Sequence, residues 1–398
     1  MRRCVACAVV VYAVAAAVAC GSMESADFGG SGYSDAGAGR DGGGGGPDAG
    51  FLDGGEDTSA SDGGGPDGGP PAPTTVLFVQ GSPNLWPGPA SIQNVRVCWS
   101  VGGVVTKALP FPSDGPMPGS NYDGLPLGGA ASLSDATSLM NGPLTLHVID
   151  ALTLRQLASP TSTCDELYCP TFNPSSTTCL APGSFTDVPV RGAGQIAAHE
   201  TNVLALAGCA PSAADAGVNL ASCGADWNPT AGNLHADLVV VSSSAPSPGT
   251  LAVQAAQLSP GLAALTAGGA TATVSFGAAG AADASTVGLL TGEGALAPLQ
   301  YVPLGSGLAV YGQVGFSVSV PTGDGGALSA WMSLAQSQQL VDPTQDPTVF
   351  FGAPRTYVVA VVGDPLGVPA FAADASYDGT GLHVLVLPTP APPVPADR

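Results

Sequence analysis

The sequence predicts a mainly β protein: two antiparallel, Ig-like β-sandwich domains in tandem behind a disordered N-terminal tether. Three observations predict it. Past residue 73, short runs rich in Val, Leu, Phe and Thr alternate with clusters of Gly, Pro, Ser and Asp, the grammar of strands and turns. Helical periodicity is scarce. Similar runs recur in the same order in both halves of a stretch of 325 residues, enough for two cores of ordinary domain size.

At the start of the chain, Arg2 and Arg3 precede an almost wholly apolar run, Val5 to Ala19. A charged start, about 7–15 apolar residues and small residues at the end make an export signal, and the run is too short to span a bilayer as a helix. Ala17, Val18, Ala19, Cys20, Gly21 and Ser22 then resemble the lipobox of bacterial lipoproteins. The resemblance implies that residues 1–20 are a lipoprotein signal with the lipidation site at Cys20. It also implies a membrane partner reached through that lipid anchor, and, because Gly21 is not aspartate, a location at the outer membrane.

Residues 21–73 are a different material. Ten acidic residues face one base, Arg40, and Phe28, Tyr33, Phe51 and Leu52 are almost the only sizeable apolar groups. So little apolar surface cannot offset the entropy of ordering, which predicts a disordered tether. Its Asp-Gly units lack the regular carboxylate spacing of a calcium loop. From Thr74 onward, twenty acidic residues stand against six basic ones, a net of −14. That balance leaves no electrostatic footprint for nucleic acid.

The predicted strands of the first half are Thr75–Gln80, Val95–Val101, Leu144–Ile149, Asn202–Ala207 and Ala236–Ser242. Those of the second are Thr250–Ala255, Thr271–Phe276, Leu308–Tyr311, Gly315–Val320, Tyr357–Val362 and Leu382–Leu387. Two helices are expected. Ala151–Leu157 has Asp150 as its N-cap, and Leu328–Leu340 places Leu328, Trp331, Met332 and Ala335 on one face. Four segment pairs suggest a duplication: Val79-Gln80 with Val253-Gln254, Leu125–Gly128 with Val302–Gly305, Asn202–Gly208 with Tyr357–Gly363, and Leu234-His235 with Leu382-His383. With Ser243 to Thr250 as the junction, the domains are 74–244 and 249–390, and 391–398 is a tail. Phe78 to Pro83, Tyr301 to Gly305 and Val361 to Asp364 together resemble a family of extracellular bacterial β-sandwich domains of unknown function. That resemblance implies a fold and a location, and no activity.

Six cysteines remain in the mature body: Cys98, Cys164, Cys169, Cys179, Cys209 and Cys223. An even number in an exported chain reads as disulfides, and the tight Cys/His pairs of a metal site are missing. Cys209 and Cys223 flank one loop and should pair. One of Cys164, Cys169 and Cys179 should reach Cys98. No cofactor is called for.

No H-E-x-x-H, G-x-S-x-G, P-loop or dinucleotide fingerprint occurs. His199-Glu200 lacks its second histidine, and His147, His235 and His383 read as strand residues at a sheet rim. The chain therefore reads as a non-catalytic envelope lipoprotein for surface binding or adhesion, with a cell-surface glycan or protein as partner. A structural envelope role and, further off, a secreted hydrolase are the alternatives. Trp86, Trp227 and Tyr168 are the aromatics that a binding surface would use, whereas Trp99 continues an inward alternation with Val95 and Val97.

Overall fold

The computed structural model describes residues 73–389, apart from 84, 86–93, 113–123, 134–135, 158–161, 170–178, 182, 193–194, 212–222, 245, 267–270, 282–283, 305–309, 322–325, 342–344, 353–354 and 366–380. The expected signal segment with Cys20, the expected tether, Trp86, Gly305 and the expected tail 391–398 lie outside the described residues.

The first half contributes eight strands: β1 (Thr75–Gln80), β2 (Val95–Val101), β3 (Val104–Val105), β4 (Ala130–Leu133), β5 (Leu144–Asp150), β6 (Thr186–Gly192), β7 (Thr201–Ala207) and β8 (His235–Val241). They form one sheet of order β3-β2-β5-β6-β8-β7-β1-β4. This departs from the expected sandwich. Strand β6 pairs antiparallel with β5 and parallel with β8, joining what would be two sheets into one. The accumulated right-handed twist of eight strands curls that sheet over its own core. Phe78, Trp99, Leu146, Leu204 and Leu238 meet inside it, with Phe78 and Trp99 edge to face at 5.9 Å.

The second half contributes β9 (Thr250–Gln257), β10 (Ala272–Ala278), β11 (Ser285–Leu290), β12 (Gln300–Pro303), β13 (Val314–Pro321), β14 (Ala327–Ser333), β15 (Thr356–Asp364) and β16 (Gly381–Pro388). Here two four-stranded sheets, β11-β10-β13-β14 and β12-β9-β15-β16, enclose a common core. Not every pairing is antiparallel, as the sequence reading had it. β1/β7, β6/β8 and β9/β15 run parallel. Long intervening chain lets each pair align in the same direction.

A third core lies between the halves. On β15, Tyr357, Val359 and Val361 point into the second-half core, while Val358, Ala360 and Val362 meet Leu77, Val79, Val203 and Ala205 of the first half. Strands buried on both faces read as unbroken apolar runs, which is why these were easy to place in the sequence.

The expected helix at Leu328–Leu340 is half strand. Residues 327–333 are β14, with Met332 opposite Phe316 and Trp331 opposite Ser317, and the helix Leu334–Val341 follows. Trp331 and Met332 thus point to opposite faces, not to one. Val310 and Tyr311, expected to end the strand Leu308–Tyr311, instead open a short helix, Val310–Gln313. The helix Ala151–Leu157 is present, and the Asp150 carboxylate accepts the Thr153 backbone N–H at 2.8 Å as its cap.

Order β8-β7-β1-β4 in one half matches β16-β15-β9-β12 in the other. The registers match too. Gln80 lies opposite Leu206 as Gln257 lies opposite Val361, and Ala207 opposite His235 as Val362 opposite His383. Asn202–Gly208 and Tyr357–Gly363 stand in register, as do the two Leu-His pairs. The other two matches are displaced. The counterpart of Gln80 is Gln257, three residues beyond the expected Gln254. The counterpart of Gly128 is Gly294, since each donates its N–H to the carbonyl of that glutamine, at 2.8 and 2.7 Å.

Side-chain chemistry repeats at the strand end. Ser82 N donates to Gln80 Oε1 at 3.0 Å and Ser82 Oγ to the Gly208 carbonyl at 2.7 Å. Ser259 N donates to Gln257 Oε1 at 2.9 Å and Ser259 Oγ to the Gly363 carbonyl at 2.7 Å.

Candidate functional site

The six body cysteines close as Cys98–Cys164, Cys169–Cys179 and Cys209–Cys223. Three such bonds suit an oxidising, extracellular environment. Among the described residues, no helix is long and apolar enough to cross a membrane.

The outer face of the curled sheet carries a polar relay that sequence reasoning missed. Alternation on β2 turns Val97 and Trp99 inward, so Cys98 and Ser100 point out. Pairing with β5 sets His147 opposite Cys98, and β6 sets Asp187 opposite His147. Ser100 Oγ lies 2.5 Å from His147 Nε2, and His147 Nδ1 lies 2.7 Å from Asp187 Oδ1. Tyr168 donates its hydroxyl to the other Asp187 oxygen at 2.8 Å and stacks on His147 with ring centroids 3.8 Å apart. Burial first, then the bond to Asp187, pushes the Tyr168 phenol up to about 12.

Order along this relay is that of a nucleophilic triad, but its burial is reversed. A working triad exposes the serine and shelters the acid. Here Ser100 is 5 % exposed, whereas the Asp187 side chain is 56 % exposed. The hydroxyl that would have to attack is shut in, and the carboxylate that would have to stay dry faces water. What the relay does is pin β2, β5 and β6 to the disulfide-bonded segment that carries Tyr168.

Of the other aromatics, Trp99 is in the core, as its alternation implied. Trp227 donates its indole N–H to the Ala210 carbonyl at 3.2 Å. No ring contact joins it to Tyr168 among the described residues.

A cleft of about 390 Å³ lies between the halves. Thr75 and Leu77 of β1 and Ala131 of β4 form one wall, and Phe350, Arg355 and Leu387 of the second half form the other. Clefts of roughly 300–1,000 Å³ with apolar walls and a few polar groups are the usual form of small-molecule sites. Two polar atoms matter here. Arg355 Nε and Thr75 Oγ1 are buried and have no hydrogen-bond partner. None of the described residues lining the cleft is a carboxylate. A guanidinium donor left unpaired in an apolar setting is costly, so the site favours an anion that would pair with it. Arg355 is one of only six bases past residue 73, which makes its place in an apolar wall more telling. No residue of this cleft stood out in the sequence, because its walls are brought together only by the docking of the halves.

No protein-family model matches the chain, and comparison with curated proteins finds no relative.

Proposed function

We propose that this protein is an exported, lipid-anchored envelope protein that binds a small apolar carboxylic acid in the cleft between its halves. The unpaired Arg355 Nε inside an apolar cleft is the observation that carries the binding reading. The halves, 74–244 and 249–390, are read as tandem variants of one β unit, the second a sandwich. This reading keeps the protein non-catalytic and a surface-binding module, but moves the recognition surface from exposed aromatics to the inter-half cleft. The anchor would be Cys20, with residues 21–73 as leash to the outer membrane. The lipobox resemblance and the disulfides support that address.

Binding is tested by calorimetry on the mature chain with medium-chain fatty acids and the matching alcohols. Carboxylates should bind and alcohols should bind at least tenfold more weakly, with the preference lost in Arg355→Met. Equal binding of acid and alcohol, or none, would reject the reading. Anchoring is tested separately: Cys20→Ser should stop incorporation of labelled fatty acid, and unchanged labelling would reject the anchor.

A further inference from the structure

We propose that His235, Asp237 and Glu293 bind a divalent metal ion of the zinc class, which staples the two halves of the body together. His235 and Asp237 are two apart on β8, so they share a face of the strand. Glu293 comes from the other half, in the turn between β11 and β12, next to Gly294. Glu293 Oε1 lies 2.9 Å and Asp237 Oδ2 3.7 Å from His235 Nε2, and the three candidate ligand atoms lie within 4.8 Å of one another. Bonds of about 2.0–2.2 Å in a tetrahedral set separate ligand atoms by roughly 3.4 Å, close to this spacing.

Three further observations point to a ligand. The Asp237 side chain is 9 % exposed, and its Oδ2 has no hydrogen-bond partner. The other ring nitrogen of His235, Nδ1, bonds the Asn233 carbonyl at 2.6 Å, which leaves Nε2 facing the carboxylates. Metal-binding histidines are oriented in this way by a backbone acceptor. Asn233 is itself held by the disulfide loop, its side chain accepting from Cys209 N at 2.9 Å and donating to the Cys223 carbonyl at 2.7 Å. Finally, a cleft of about 150 Å³ reaches Glu293, with Arg191, Asp226 and Pro260 on its walls. It offers an entry path and room for water at open coordination positions.

One imidazole and two carboxylates are a donor set for zinc or a similar first-row ion, not a calcium cage.

The experiment is calorimetric titration of the chelator-stripped full mature chain with Zn²⁺, with Ca²⁺ as a control for diffuse binding to the acidic tether. One saturable Zn²⁺ site is expected, at least tenfold weaker in Glu293→Gln and in Asp237→Asn. Glu293 sits in a turn, so Glu293→Gln tests ligation even if Asp237→Asn does not fold. Co²⁺ should give a ligand-field spectrum in the native protein that Glu293→Gln loses. No saturable Zn²⁺ site, or binding unchanged in Glu293→Gln, would overturn the proposal.

Discussion

His235 and His383 occupy the same position in two copies of one strand pair, opposite Ala207 and opposite Val362. Both are fully buried, yet they titrate in opposite directions. Two residues along, His235 has Asp237, and the facing turn supplies Glu293, so its pKa rises to about 9. At the matching place His383 has Leu385, and the facing turn presents Gly128, where an added Cβ would meet the imidazole Nδ1 at 2.8 Å. Desolvation by burial lowers its pKa to about 4. One backbone geometry thus holds a cation in one copy and a neutral ring in the other. Side chains two residues away and across the interface decide which.

The halves differ in the same spirit in how they are held. All body cysteines lie in the first half, where the curled sheet is braced by disulfides, and none lies beyond Cys223. The second half relies on two sheets closed over an aromatic and aliphatic core.

The largest expected effect separates the two designs. Cys98→Ser with Cys164→Ser opens a span of 66 residues, which the chain-entropy view values at about 4 kcal/mol. Urea unfolding followed by Trp99 should shift by that order, and Trp331 should report a smaller change. Equal shifts at both probes would erase the contrast. The histidine comparison comes next. The folded His383 value of about 4 lies below its ordinary 6.5. Between those values the unfolded chain takes the proton and the native chain does not. Stability is therefore full above about pH 6.5 and falls as pH drops towards 4, by on the order of 3 kcal/mol. His383→Gln should flatten that limb of a stability–pH curve, and an unchanged limb would refute the assignment. Smallest is the repeated strand-end clamp. Ser82→Ala and Ser259→Ala each leave a glycine carbonyl without its serine donor and should each lose about 1–2 kcal/mol. Clearly unequal losses in matched unfolding experiments would sharpen the distinction between halves that otherwise look alike here.

Much of the fold was legible. Thr75–Gln80 and Val95–Val101 match the observed strands residue for residue, because each is apolar, β-branched and flanked by turn formers. Leu328–Leu340 misled because its apolar residues fit both a period of 3.6 and a period of 2 until Ser333, and only pairing with β13 chose between them. The duplication was visible, but two of its four matches slipped, since Val-rich strands resemble one another at several registers. Register became certain only through hydrogen bonds at Gln80 and Gln257. The candidate sites were less legible. Ser100, His147 and Asp187 are 47 and 40 residues apart, and the Arg355 cleft draws its walls from both halves.

By itself, the sequence determined where ten of the sixteen described strands run, which cysteines share a loop and how little positive charge there is. Each of these follows from local composition and spacing. Tertiary structure alone decided that the first half is one curled sheet, that Arg355 faces an apolar wall, and that His235 meets Glu293 while His383 meets a glycine. Those outcomes depend on which distant strand edges pair and which faces dock, and burial and charge acquire their energies only once that contact is made.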